Sequence, residues 1–180
     1  DLKLTKVAIL FDQASAYSVG LKDEFGKAFK AAGGQILSEQ AYTKGAADFS
    51  AQLARIREQA PQAIFIPGYY SDVANIAMQA RKLDLKVPLV GGDGWDSEEL
   101  GKNAKTAIEG CFYSNHYAPD QASPEITAFV AKYQKEFGGI PDGLAALGYD
   151  AAKILFDSMG RAKGLKGTEL RDAIASTKDF

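Results

Sequence analysis

Along the first two thirds of the chain, short apolar runs alternate with amphipathic stretches of helical period. Leu4–Phe11 reads as a strand buried on both faces, because parallel strands covered by helices carry near-continuous apolar residues. A polar, small-residue loop, Asp12 to Ala16, follows it. A helix from Tyr17 or Ser18 to Ala32 then carries Val19, Leu21, Phe25, Ala28 and Phe29 on one side. Gly33-Gly34 ends that helix, since glycine tolerates the left-handed C-cap. Gln35 to Tyr42 predicts a second strand, and Asp48 is expected to cap a helix bearing Phe49, Leu53, Ile56 and Ala60. Ala63 to Gly68 reads as a strand running into a turn, with Ser71 or Asp72 capping a helix through Lys82. A fourth strand spans Lys86 to Gly91, a short helix Ser97 to Leu100, and a fifth strand Glu109 to Tyr117.

Strands alternating with helices at this spacing predict an α/β fold. The expectation is a doubly wound, mainly parallel five-stranded sheet with helices on both faces and a flavodoxin-like strand order. The last third departs from the pattern. Three helices, about Pro124–Phe137, Leu144–Ala162 and Gly167–Thr177, follow without a strand between them. The reading is therefore an α/β ligand-binding lobe over residues 1–118 and a helical segment over 119–180. Ile126, Phe129, Val130, Ile154, Leu155 and Met159 give those helices apolar faces that must be covered. Self-association or partial disorder of the segment after Asp120 is expected if the chain stands alone.

Composition narrows the function. The 180 residues carry a net charge of -2 with 24% charged residues, and no basic tract or zinc-finger spacing points to nucleic acid. No apolar run reaches membrane-spanning length, and no secretory signal opens the chain. Cys111 is alone, which excludes an internal disulfide and thiolate metal clusters; a buried, inert thiol is expected. His116 is the one histidine and has no nucleophile elbow beside it. The first loop lacks a glycine fingerprint and no P-loop is present, so no cofactor and no metal are expected, nor an enzyme.

The chemistry gathers instead at the carboxyl ends of the strands, the edge where ligands sit in open α/β sheets. The most informative stretch is Leu89-Val90-Gly91-Gly92-Asp93-Gly94-Trp95. Its glycines allow close approach to the backbone, and its carboxylate suits an ammonium. Tyr17 begins the first helix, and Tyr69 and Tyr70 follow the third strand. Tyrosine offers an apolar face and a hydroxyl, which fits ligands with aliphatic and polar parts. Tyr17, Tyr69, Asp93, Tyr70 and Trp95 are thus candidate ligand-binding residues. Four of them have a named structural alternative: Asp93 as a cap in a glycine-rich turn, Tyr17 as a helix-end cover, Tyr70 as a packing residue and Trp95 as a surface lid.

Taken in order, these residues resemble the type I periplasmic binding proteins of the branched-chain amino acid and amide class. The marks are Asp12 with Ala16-Tyr17-Ser18-Val19-Gly20-Leu21, then Asp48-Phe49-Ser50 with Leu53. They continue with Gly68-Tyr69-Tyr70, Ala77 and Gln79-Ala80-Arg81, then Gly92-Asp93-Gly94-Trp95, and finally Gly148-Tyr149-Asp150-Ala151. The resemblance covers essentially the whole chain. It implies two α/β lobes joined by crossing strands, with a ligand clamped between them by hinge closure and no chemistry performed. This chain would be the second lobe plus helices that pack on the first, and would lack the first lobe's sheet with its serine and threonine contacts to the ligand carboxylate. Family members also continue past the final helix into further strands, so the chain is expected to be a fragment.

Carried over by the resemblance, Tyr17 lines the cleft after the first strand and Tyr69 contacts the ligand. Asp93 pairs with the ligand ammonium; relatives with Glu there leave slightly less room. Leu144 stands where relatives often place an aromatic. The implied function is an exported, periplasmic or extracellular solute-binding protein that delivers an amino acid or amide to the membrane permease of an ABC importer. A ligand-sensing domain of a receptor or regulator with the same fold is the alternative.

Overall fold

In a computed structural model that describes residues 2–178, the chain folds into two compact units, Asp1–His116 and Tyr117–Phe180. The first holds β1 (Lys6–Asp12), α1 (Ala16–Ala31), β2 (Gln35–Tyr42), α2 (Ser50–Glu58), β3 (Ala63–Phe65), α3 (Tyr70–Lys82), β4 (Leu89–Gly91), α4 (Glu98–Ala104) and β5 (Phe112–Tyr113). All neighbouring strands run parallel in the order β2-β1-β3-β4-β5, the flavodoxin-like order expected. The order reverses between β1 and β3, which opens a crevice at the carboxyl edge there.

Alternation along the strands feeds two apolar layers. Ala8, Leu10, Ile64, Ile66 and Leu89 enter one buried cluster with Phe49, Leu53 and Ile56 of the α2 region and Val73, Ile76 and Ala77 of α3. On the opposite side Phe25 of α1 stacks on Phe65 of β3 at 4.1 Å, and Phe29 stacks on Phe25 at 5.2 Å. Helices therefore cover both faces, as the apolar character of β1 requires.

Several boundaries differ from those the sequence predicts, each for a hydrogen-bonding reason. β3 ends at Phe65 because Pro67 has no amide hydrogen and Gly68 N–H closes back on the Ile66 carbonyl at 2.9 Å. β4 begins at Leu89, not Lys86. Pro88 cannot donate, and the carbonyls of Leu85 and Val87 are taken by the Arg81 guanidinium. β5 is two residues long where nine were expected. It is an edge strand with one neighbour, and beyond it the Tyr113 hydroxyl and Asn115 amide turn to Asp96 at 3.0 and 2.8 Å. Asp48 does not cap α2; it stands one residue before the cap position, where its carboxylate accepts the Ser50 N–H at 2.8 Å, and Phe49 is the half-helical residue. Nor do Ser71 and Asp72 cap α3, which starts at Tyr70 after an extended Tyr69. α4 runs on to Ala104, past the expected end at Leu100.

The second unit holds α5 (Pro124–Phe137), α6 (Gly143–Arg161) and α7 (Gly167–Ala175). Ser123 caps α5 ahead of Pro124, Gly138 ends it at φ 77°, and the Asp142 carboxylate caps α6 by accepting the Ala145 N–H at 2.8 Å. Arg161 ties α6 to the end of α7 through the Ala173 carbonyl at 3.0 Å and the Thr177 hydroxyl at 2.8 Å. Leu147, Phe156 and Met159 of α6 are exposed.

Candidate ligand-binding site

Three consecutive strand ends meet at the carboxyl edge. After β1, Ser15 caps α1 by accepting the Ser18 N–H at 3.2 Å, and the Ser18 hydroxyl accepts the Asp12 N–H at 2.9 Å. This doubly tied turn sets Tyr17 in the first turn of α1. After β3, the extended backbone of Tyr69 (φ -95°, ψ 153°) carries its ring out before α3 begins. After β4, Gly92 is extended and Asp93–Trp95 form one 3-10 turn.

The Tyr17 hydroxyl joins two of these ends. It donates to Asp93 Oδ1 at 2.9 Å and accepts the Gly94 N–H at 3.0 Å. Because β3 lies between β1 and β4, this pair of bonds spans the third strand's end. The Tyr69 ring stacks there on Tyr17, with centroids 5.0 Å apart and planes 27° apart. Glycine at 94 makes the approach possible: a Cβ would stand 2.8 Å from the Gly68 carbonyl oxygen and 3.0 Å from the Tyr17 hydroxyl. One at Gly92 would also meet that hydroxyl at 3.0 Å.

Burial, followed by the neighbouring Asp93 carboxylate, raises the Tyr17 phenol to about 12, against the lowering effect of the Gly94 N–H. The phenol thus stays protonated at neutral pH and remains the donor. Asp93 is half-buried and uses one carboxylate oxygen for Tyr17; among the described residues the other accepts no hydrogen bond, and no cation pairs with it. An acceptor with a free oxygen beside two aromatic rings can take an ammonium through a charge-assisted bond. Replacing Tyr17 by Phe keeps the ring stack but strands the Gly94 amide. The expected cost is about 1 kcal/mol of stability, read as a lower urea midpoint; an unchanged midpoint would show the bond to be idle.

The structure joins Tyr17, Tyr69 and Asp93 by direct contacts, and places Tyr70 and Trp95 outside that group. Tyr70 packs against the core cluster on the α3 side. Trp95 is 1% exposed and so is no surface lid, and its indole N–H donates to the Ile66 carbonyl at 3.0 Å. The 3-10 turn rotates position 95 inward, and an indole with a backbone carbonyl in reach stays buried. Cys111 is half-buried rather than buried, with its sulfur accepting from Arg81 at 3.3 Å. His116 is exposed. Among the described residues no group of three or more His, Cys, Asp or Glu could hold a metal, and no helix is long and apolar enough to cross a membrane.

One neighbour escaped the sequence reading. The Lys44 ammonium, from the β2–α2 loop, lies 5.9 Å from the Tyr69 ring centroid. The signal was available, since a loop that follows a parallel strand opens on the same edge, but residue type alone does not mark an exposed lysine.

A model of the periplasmic binding protein family matches residues 1–180. A relative in Brucella abortus (strain 2308), Leu/Ile/Val-binding protein homolog 2, is 27% identical over 175 residues, covering 97% of this chain and 46% of the relative. The leucine binding protein LivK of Thermotoga maritima superposes with a TM-score of 0.89 at 37% identity, over 99% of this chain and 51% of that one. LivJ of Streptococcus pneumoniae, solved in complex with isoleucine, gives 0.82 at 31% identity, over 100% and 51%. The chain spans about half the length of the relatives it matches. With the whole chain matched and the same all-parallel sheet found in LivK, the chain belongs to the periplasmic binding protein family, a family of binding proteins and not of enzymes.

Proposed function

We propose that this chain supplies one wall of an amino-acid binding site in an extracytoplasmic solute-binding protein serving an ABC importer. The observation that carries the reading is the half-free Asp93 carboxylate, held by Tyr17 beside the Tyr17–Tyr69 stack. Asp93 would receive the ligand ammonium, and the two rings would line the slot for its carbon skeleton. The named specificities of the relatives, leucine, isoleucine and valine, support an amino acid as the ligand class. No bond is made or broken. Delivery rests on closure around the ligand, which shifts the population toward a closed state only by contacts made there and not in the open one. Those contacts would come in part from the length of the relatives that this chain does not span.

The same reading has Leu147, Phe156 and Met159 of α6 covered by that further length. When this chain is studied alone they are open to a second copy, and light scattering is expected to give a mass above the monomer; a clean monomer at high concentration would argue otherwise. The function itself is tested by calorimetry of the complete protein against an amino-acid and amide panel. Saturable binding of at least one amino acid is the expected result, and silence across the panel would sink the reading.

A further inference from the structure

Resting on that reading of the edge, we propose that Lys44 is a specificity residue of the same site. It favours ligands that carry a second anionic group, as aspartate and glutamate do, beside the ammonium taken by Asp93. The β2–α2 loop is not a loose tether for this side chain. The Lys44 N–H donates to the buried Asp12 carboxylate at 3.3 Å and the Gly45 N–H to the buried Asp72 carboxylate at 3.1 Å. Ala46 N–H closes the turn on the Thr43 carbonyl at 3.1 Å, and Gly45 adopts the positive φ of 79° that the turn requires. On the β1 side, Gln13 N–H holds the Tyr42 carbonyl at 2.9 Å. The stem of Lys44 therefore leaves the edge from a fixed point and carries its ammonium to the Tyr69 ring.

Asp12 and Asp72 are engaged by backbone amides, and among the described residues no carboxylate lies within 4 Å of the Lys44 ammonium. The edge thus runs from an anion at Asp93, through the Tyr17 and Tyr69 rings, to an unpaired cation at Lys44. A ligand lying along the rings meets opposite charges at its two ends. A group placed over Tyr69 feels Lys44 whatever the rest of the ligand is: an anion is drawn in, a neutral amide is not, and a second ammonium is repelled. At surface screening the expected preference for an anion over its neutral isostere is about fivefold.

The test uses isosteric pairs, glutamate against glutamine and aspartate against asparagine, with leucine as the aliphatic reference. Calorimetry is run on the complete wild-type protein and on Lys44→Gln, Lys44→Glu and Asp93→Asn. The acid should bind about fivefold better than its amide in wild type, lose that advantage in Lys44→Gln, and fall below the amide in Lys44→Glu. Raising the salt should shrink the difference. Acid-to-amide ratios equal in all three Lys44 forms would overturn the proposal, and so would leucine binding that depends on Asp93 while neither acid binds. In both cases the amino-acid reading survives. Failure of every ligand with every form overturns the reading and the proposal together.

Discussion

Replacing Asp93 by alanine should abolish most amino-acid affinity in the complete protein, a loss of about thirtyfold or more. The estimate follows from the bond lost: truncating one partner of a partly buried, hydrogen-bonded charge pair costs about 2–5 kcal/mol. Part of that cost is specific to this site. The Tyr17 hydroxyl loses its acceptor at 2.9 Å, so the phenol that stacks on Tyr69 is left with the Gly94 amide alone. Asp93→Asn separates the two effects, since an amide oxygen still accepts from Tyr17 but carries no charge for an ammonium. The asparagine variant should fold as wild type and bind nearly as poorly as the alanine variant. Calorimetry showing wild-type affinity in Asp93→Asn would mean that the ammonium is held elsewhere.

The second large effect is on stability. Trp95→Ala is expected to cost about 4 kcal/mol, because removing a fully buried indole leaves a cavity as well as losing its apolar burial. It also removes one of the two hydrogen bonds that the Ile66 carbonyl accepts just beyond β3, the indole N–H at 3.0 Å, and leaves only that of the Gly68 N–H. Gly91 shows how closely the ring is seated: a Cβ there would lie 2.1 Å from it. Asp93 shares the 3-10 turn with Trp95, so loosening the indole should blur the candidate site as well. Urea unfolding followed by circular dichroism measures the change, with Trp95→Phe expected to fall between the two. A variant within about 1 kcal/mol of wild type would contradict the buried placement.

Much of this fold is legible in the sequence where strong punctuation meets a clean period. β2 spans Gln35–Tyr42 as predicted, set off by Gly33-Gly34. α5 spans Pro124–Phe137 as predicted, bracketed by Ser123-Pro124 and Gly138. Strand ends are less legible, because an apolar run does not say how many of its residues find a partner. β5 keeps two of nine for that reason. The convergence of Tyr17, Tyr69 and Asp93 could be anticipated, since parallel strands place their following loops on one edge. The Tyr17 to Asp93 bond could not, and neither could the inward turn of Trp95. Both depend on a single 3-10 turn after Gly92, whose direction follows from the Ile66 carbonyl within reach of the indole. Lys44 is hidden for the opposite reason: its loop is held by backbone bonds to two buried carboxylates that sequence spacing does not connect.

We propose that Asp93, Tyr17 and Tyr69 together form the wall that receives an amino acid's ammonium and carbon skeleton. A crystal structure of the complete protein with the tightest-binding amino acid of the panel tests it most directly. The expected result is the ammonium within hydrogen-bond distance of the Asp93 carboxylate, with the ligand against the two tyrosine rings. An ammonium bound by other groups, with Asp93 still bonded only to Tyr17, would contradict it.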